Sequence, residues 1–192
     1  QVQMIAKTLG NKGEVAILSA ASTMTNQNSW IEAMKEEWKK PEYAEMPLVA
    51  TVYGDDQDDK SYREMQGLVK AHPNLKGVIS PTTIGIRSGA KAIVDGGLAG
   101  KVFITGLGLP SEMKDYVLAG ACDSFAIWNP VEYGYSSTMI MADILNGKDT
   151  AEGAKLSMGK KGETTVGKDG ECIMGEPFEF NKTNVEEFAK IF

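Results

Sequence analysis

Histidine, cysteine and clustered positive charge are what this sequence has least of. Its 192 residues include one histidine, His72, and two cysteines, Cys122 and Cys172. One histidine and no Cys-x-x-Cys spacing exclude a transition-metal centre of the usual His/Cys kind. A Ser-His-Asp or Cys-His mechanism would have to run through His72, in "AHPNLKG", where a helix is expected to end in a turn. No catalytic residue, metal or cofactor is therefore assigned, and the chain is not read as an enzyme. The two cysteines lie too far apart for a disulfide framework, and each reads as a small core or surface residue. A formal net charge of −6 without a Lys/Arg cluster argues against nucleic acid or an anionic membrane as partner. No apolar run approaches the roughly 20 residues of a membrane span. The opening "QVQMIAKTLG" has neither a basic nor an apolar region of the signal-peptide kind, and it has no initiator Met. Gln1 is accordingly read as a cut or an expression boundary, with further sequence expected before it.

What the sequence has is a repeating unit. Short apolar runs at Glu14–Ser19, Pro47–Tyr53, Gly77–Ser80, Val102–Thr105 and Ser124–Trp128 predict strands. Between and after them, amphipathic segments near Asn26–Lys40, Asp58–Ala71, Ile84–Asp95, Ser111–Leu118 and Val131–Leu145 predict helices. Trp30, Ala33, Met34 and Trp38 share one helical face, so the plainest reading of both tryptophans is core. Strands separated by helices of this length imply crossovers, and hence an α/β fold with a Rossmann-like parallel sheet and helices on both faces. Residues 154–180, with Gly-rich turns such as Lys168-Asp169-Gly170, predict a β-rich meander rather than another strand–helix unit.

In a parallel sheet every segment that follows a strand leaves from the same carboxyl edge, where open α/β sheets bind ligands. Here those segments are "SAASTMTNQNSW" (19–30), "YGDDQDD" (53–59), "SPTTIG" (80–85), "TGLGLPSE" (105–112) and "IWNPVE" (127–132). Their side chains are chiefly neutral donors and acceptors: Ser22, Thr23, Asn26, Gln27, Thr82, Thr83 and Asn129, with Trp128 among them. Amides and hydroxyls beside an indole suit a polyhydroxylated, uncharged ligand, because each sugar hydroxyl needs a donor and an acceptor. A phosphate would call for more Lys, Arg or glycine-rich backbone. In "STMTNQNSW", Thr25 or Asn26 is expected to N-cap the helix, leaving Asn26 and Gln27 as candidate ligand contacts.

Two other stretches carry less. "GLGLPS" (106–111) is a poor dinucleotide fingerprint, since Ser111 stands at the third glycine position and Pro110 interrupts it. "GDDQDDK" (54–60) fails the EF-hand pattern and reads as a solvated, dipole-favoured helix start.

The segments "GEVAILSAASTMTNQNSW", "NLKGVISPTTIGI", "VFITGLGLPSEMKDYVLAGA" and "FAIWNPVEYGY", in this order and spacing, closely resemble the substrate-binding proteins of bacterial ABC sugar importers. The branch resembled contains the rhamnose-binding proteins and the autoinducer-2 receptors. The resemblance implies a type I periplasmic-binding fold, two Rossmann-like lobes closing on a sugar, which is a known mode of hinge closure. It implies ligand contacts at Asn26, Gln27, Trp30, Pro81, Thr82, Thr83, Gly106, Trp128 and Asn129. Autoinducer-2 receptors carry an Asp-Gln pair where this chain has Asn26-Gln27, and a Pro-x-Ala where it has Pro81-Thr82-Thr83. Both departures favour a deoxyhexose such as rhamnose over autoinducer-2.

The resemblance also implies organisation and surroundings. Residues 1–13 are expected to be the trailing helix of a first lobe that precedes this sequence, 14–129 the C-terminal sugar-binding lobe, and 130–192 a crossover helix back to the first lobe with a β-rich hinge and tail. Val2, Ile5, Leu9, Met139, Met141, Ile144 and Leu145 are then expected to expose an apolar surface, covered by a first lobe or by self-association. The partners implied are a small-molecule sugar and the membrane subunits of an ABC importer, in the periplasm or outside the cell, free or lipid-anchored, with a signal peptide removed. The competing readings are an autoinducer-2 receptor, the effector-binding domain of a repressor, and, weakest, a Rossmann enzyme.

Overall fold

The computed structural model describes residues 1–191, and the chain divides into two compact units, Gln1–Ile127 with Glu179 onward, and Trp128–Phe178. The first unit alternates α1 (Val2–Leu9), β1 (Glu14–Ser19), α2 (Thr25–Trp38), β2 (Leu48–Tyr53), α3 (Asp58–Ala71), β3 (Leu75–Ser80), α4 (Thr83–Asp95), β4 (Phe103–Gly106), α5 (Pro110–Leu118) and β5 (Ser124–Ile127). From β1 onward these bounds agree with those expected from the sequence to within two residues at each end, because the apolar periods and the Gly and Pro punctuation that mark them are local; α1, expected within residues 1–13, ends at Leu9.

Strands β2-β1-β3-β4 form one parallel sheet in that order. Strand β5 continues it through a single parallel bridge, Leu107 to Ala126. The central strand β1 explains why its sequence is apolar without alternation: both of its faces are covered. Its pleat still sorts side chains by parity. Val15 and Ile17 pack with Val2, Ile5, Ile31 and Met34 under α1 and α2. Ala16 and Leu18 pack with Met65, Ile86, Ile93 and Ile104 under α3 and α4. All four β1 residues are fully buried, and burying each branched aliphatic side chain stabilises the fold by about 1.5–3 kcal/mol.

The exposure expected of α1 is corrected. Val2 and Ile5 are 2% and 1% exposed, and Leu9 is half-buried, because α1 lies on β3 and β4. Gly10 ends the helix in the left-handed conformation, at φ 64°, and turns the chain back toward β1. Gly77 makes the approach close enough: a Cβ there would come within 2.7 Å of the Ile5 side chain. In α2 the expected face is also redrawn. Gln27, Ile31 and Met34 are buried, Trp30 and Trp38 are half-buried, and Ala33 is exposed.

After Phe178 the chain adds β8 (Phe178–Asn181) beside β5, then α7 (Val185–Phe188). Phe180 stacks on Phe125 with ring centroids 5.3 Å apart.

The second unit holds α6 (Pro130–Leu145) and a hairpin of β6 (Lys155–Ser157) and β7 (Glu163–Thr165), the meander expected from its glycines. Asn129 caps α6, its side-chain oxygen accepting from the Val131 and Glu132 N–H groups. Polar contacts fasten α6 to the hairpin: Ser157 N–H donates to Asp143 Oδ2 at 2.7 Å, and Lys161 pairs with Glu132 at 2.8 Å. Of α6 only Ser136 is buried, while Val131, Tyr133, Met141, Ile144 and Leu145 are exposed. No helix among the described residues is long and apolar enough to cross a membrane.

Candidate functional site

In a sheet ordered β2-β1-β3-β4 the connections run outward in opposite directions from β1 and β3. Helix α2, which follows β1, packs on one face; α4, which follows β3, packs on the other. The two loops therefore part at the carboxyl ends of β1 and β3 and leave a crevice there, the switch point at which open α/β sheets take ligands. The segments after these strands hold Asn26 and Gln27, and Pro81, Thr82 and Thr83. Gly106 ends the next strand, in register with Ser80. Topology thus brings six of the expected site residues to one edge. Trp128 and Asn129 belong to the second unit, where Trp128 lies 6.5 Å from the Tyr133 ring, centroid to centroid, and Asn129 serves as the cap of α6.

The edge is tied together by backbone carbonyls. Ser80 Oγ donates to Leu18 O at 2.7 Å, and Leu107 N–H donates to Ser80 O at 3.0 Å. Gly106 is required for that approach. Its φ is 144°, and a Cβ there would lie 1.8 Å from the Ser80 carbonyl oxygen. Pro81 and Thr82 are buried and Thr83 half-buried at the start of α4. The Thr82 hydroxyl donates to Asp56 Oδ1, which brings into the crevice a carboxylate that the sequence assigned to a solvated helix start. No sequence signal marks Asp56 apart from its neighbours Asp55, Asp58 and Asp59.

The expected cap of α2 is corrected. Met24 is the N-cap residue and neither Thr25 nor Asn26 makes a capping bond. Instead Asn28 Nδ2 donates to Ser22 O at 2.8 Å, closing the loop on itself, and Ser29 Oγ donates to Asn26 O. Helix α4 likewise has no side-chain cap. First-turn N–H groups of both helices flanking the crevice are thus left for other acceptors. Asn26 is exposed, whereas Gln27 is nine-tenths buried. Gln27 Oε1 and Ser19 Oγ, both buried, have no hydrogen-bond partner among the described residues. Trp30 packs against the cluster of Val2, Ile31 and Met34 and lines a shallow hollow with Gln1, Gln3 and Glu37.

Beside the crevice, ion pairs fix the starts of three helices. Arg87 of α4 bonds Asp58, the first residue of α3, at 2.7 Å and also Glu112 in the first turn of α5. Ser88 Oγ donates to the same Asp58 oxygen. The Arg87 guanidinium, with Ser88, holds the Asp58 carboxyl below the usual carboxylate range, and Asp58 in turn raises Arg87. With its charge met on two sides, Arg87 is a strut rather than an anion receptor. Among the described residues no group of three His, Cys, Asp or Glu could hold a metal ion. Cys122 is buried, and burial pushes its thiol up.

The crevice thus combines neutral donors and acceptors with one carboxylate, Asp56, between two helix starts of a doubly wound parallel sheet. Residues 1–149 match the model of the periplasmic binding protein domain, and the chain belongs to that family. It is 40% identical, over 97% of its length and with a TM-score of 0.87, to the crystal structure of a sugar ABC transporter from Actinomyces odontolyticus, and covers 61% of that chain. It is 38% identical, over 99% of its length and with a TM-score of 0.90, to an ABC transporter solute-binding protein from Clostridium phytofermentas with bound L-rhamnose, of which it covers 63%. At 22% identity it shares the fold of LsrB from Clostridium saccharobutylicum in complex with AI-2, with a TM-score of 0.83 and 65% of that chain covered. The chain thus spans less than two thirds of the length of each.

Proposed function

We propose that this chain is the sugar-recognising part of a solute-binding protein that serves a bacterial ABC importer, and that its ligand is L-rhamnose or a closely related neutral sugar. The observation that carries the reading is the 38% identity, over 99% of the chain, to a solute-binding protein holding L-rhamnose. The crevice chemistry supports it. Uncapped N–H groups of α2 and α4 supply donors, while Gln27 Oε1, Thr82 and Asp56 supply acceptors. Such a mixed, phosphate-averse set matches hydroxyls that both donate and accept. Asn26, Gln27, Pro81, Thr82 and Thr83 are the contacts proposed from this unit. The protein acts by binding and release rather than by chemistry, outside the cytoplasmic membrane. The exposed face of α6 is proposed as a contact surface, for polypeptide of the kind that makes up the rest of the longer relatives or for a second copy of this chain.

Isothermal titration of the chain with L-rhamnose, D-galactose and autoinducer-2 tests the reading. Saturable heat with L-rhamnose, in preference to the other two, is the expected result. Binding of autoinducer-2 alone, or of none of the three by a folded sample, contradicts it.

A further inference from the structure

We infer that Asp56 reads the ligand's hydroxyl donors at the crevice and sets a preference for neutral over anionic sugars, with Thr82 as its positioning residue; this rests on the sugar reading above. The loop from β2 to α3 is strapped across the carboxyl end of β1. Gly54 N–H donates to Ser19 O at 2.9 Å and Asp55 N–H to Ala20 O at 3.0 Å. Asp55 and Asp56 then follow with φ 52° and 50°, two consecutive non-glycine residues in the left-handed region, a conformation that L-residues adopt at a cost and that surrounding contacts must hold. The turn carries Asp56 to the end of β3, where the buried Thr82 hydroxyl donates to its Oδ1.

The neighbouring carboxylates are used differently. Asp55 pairs with Lys60 at 2.5 Å and Asp58 with Arg87. Asp56 has no cationic partner among the described residues, and none of them donates to its Oδ2. A second observation points to a ligand at the same edge. Ser19 Oγ, fully buried at the end of β1, and Gln27 Oε1, nine-tenths buried just beyond it, have no partner among the described residues.

The chemistry follows from the inventory of donors and acceptors. An ionised carboxylate only accepts, and two vicinal hydroxyls can donate to one carboxylate together. Thr82 commits its proton to Asp56, so toward a ligand its oxygen accepts as well. Asp56, Thr82 and Gln27 Oε1 thus make this edge rich in acceptors, and the negative charge of Asp56 is paired with no cation among the described residues. A sugar with adjacent hydroxyls satisfies it; a sugar acid brings a second negative charge and is repelled.

The test is calorimetric titration of L-rhamnose and its aldonic acid, L-rhamnonate, into the chain and the variants Asp56→Asn, Thr82→Val and Thr82→Ser, with folding checked by circular dichroism. Wild type should bind the sugar and reject the acid. Asp56→Asn should weaken L-rhamnose by about tenfold or more and narrow the ratio between the two ligands. Thr82→Val should weaken L-rhamnose, and Thr82→Ser should restore it. Asp56→Asn binding L-rhamnose like wild type, or wild type taking both ligands equally, overturns the inference while leaving the sugar reading in place. Loss of folding in Asp56→Asn assigns Asp56 a structural role and also overturns it. A folded wild type that binds no neutral sugar removes the sugar reading and this inference with it.

Discussion

Single residues at the crevice hold strands together, and some are proposed to face a ligand as well. Gly106 illustrates the first. Its carboxyl-edge position is set by the Ser80 carbonyl, against which a Cβ would stand at 1.8 Å. Gly106→Ala is therefore expected to destabilise the fold by at least about 2 kcal/mol, from backbone strain and the lost approach together. Urea denaturation followed by circular dichroism would measure it, and an unchanged midpoint would count against the packing described. Gln27 illustrates the second: its amide is buried on the α2 stripe beside Ile31 and Met34, yet one oxygen of it has no partner among the described residues. Asn26, one residue earlier, is exposed. Reading Asn26 and Gln27 as a pair was legible in the sequence; the difference in their burial was not, because it depends on which side of α2 meets the sheet.

At the scale of elements, the helices owe their relative placement to electrostatics as well as to apolar packing. The Asp58–Arg87–Glu112 group joins the starts of α3 and α5 to α4. Because Asp58 has a folded-state pKa below its ordinary value of 3.8, its contribution to stability is present above that value and is lost as pH falls through the folded one. Removing the titratable group should flatten that part of the response. Asp58→Asn is expected to be less stable than wild type near neutral pH, with the gap closing as pH falls from about 5 to about 2. Thermal melts of both proteins across this range would show it, and a gap that stays constant with pH would contradict the role given to Asp58. The pair is largely exposed, so salt should shrink the gap too. Element positions were legible from apolar period and punctuation, down to α3 at Asp58–Ala71. The α2 cap was not, because Thr25 and Asn26 had the right chemistry for capping while the loop placed Met24 there and used Asn28 to close on Ser22.

For the whole molecule, α6 is the element that predicts association. Its hairpin partner holds the polar flank and leaves Val131 76% and Leu145 79% exposed, an apolar face of the kind that marks interaction sites. The chain by itself is expected to associate as its concentration rises, and Met141→Glu with Leu145→Lys is expected to suppress this. Sedimentation velocity over a concentration series measures both, and a monomer at every concentration would sink the prediction. The net charge of −6 works in the opposite direction, through general repulsion, so association should strengthen with salt.

The sequence alone determined the α/β class, the order of strands and helices, and the edge of the sheet from which the site loops depart. Those properties follow from local period, from the unbroken apolar run of β1 and from the fixed handedness of crossovers, all of which are read without knowing a distant contact. Tertiary structure decided the rest. Val2 and Ile5 are buried because Gly77 on a different strand lets α1 approach. Asp56 reaches Thr82, 26 residues away, because two left-handed residues turn a loop over the end of β1. No composition or spacing encodes such a meeting, since it is made by the register of neighbouring strands and by a left-handed turn that aspartate tolerates but does not by itself dictate.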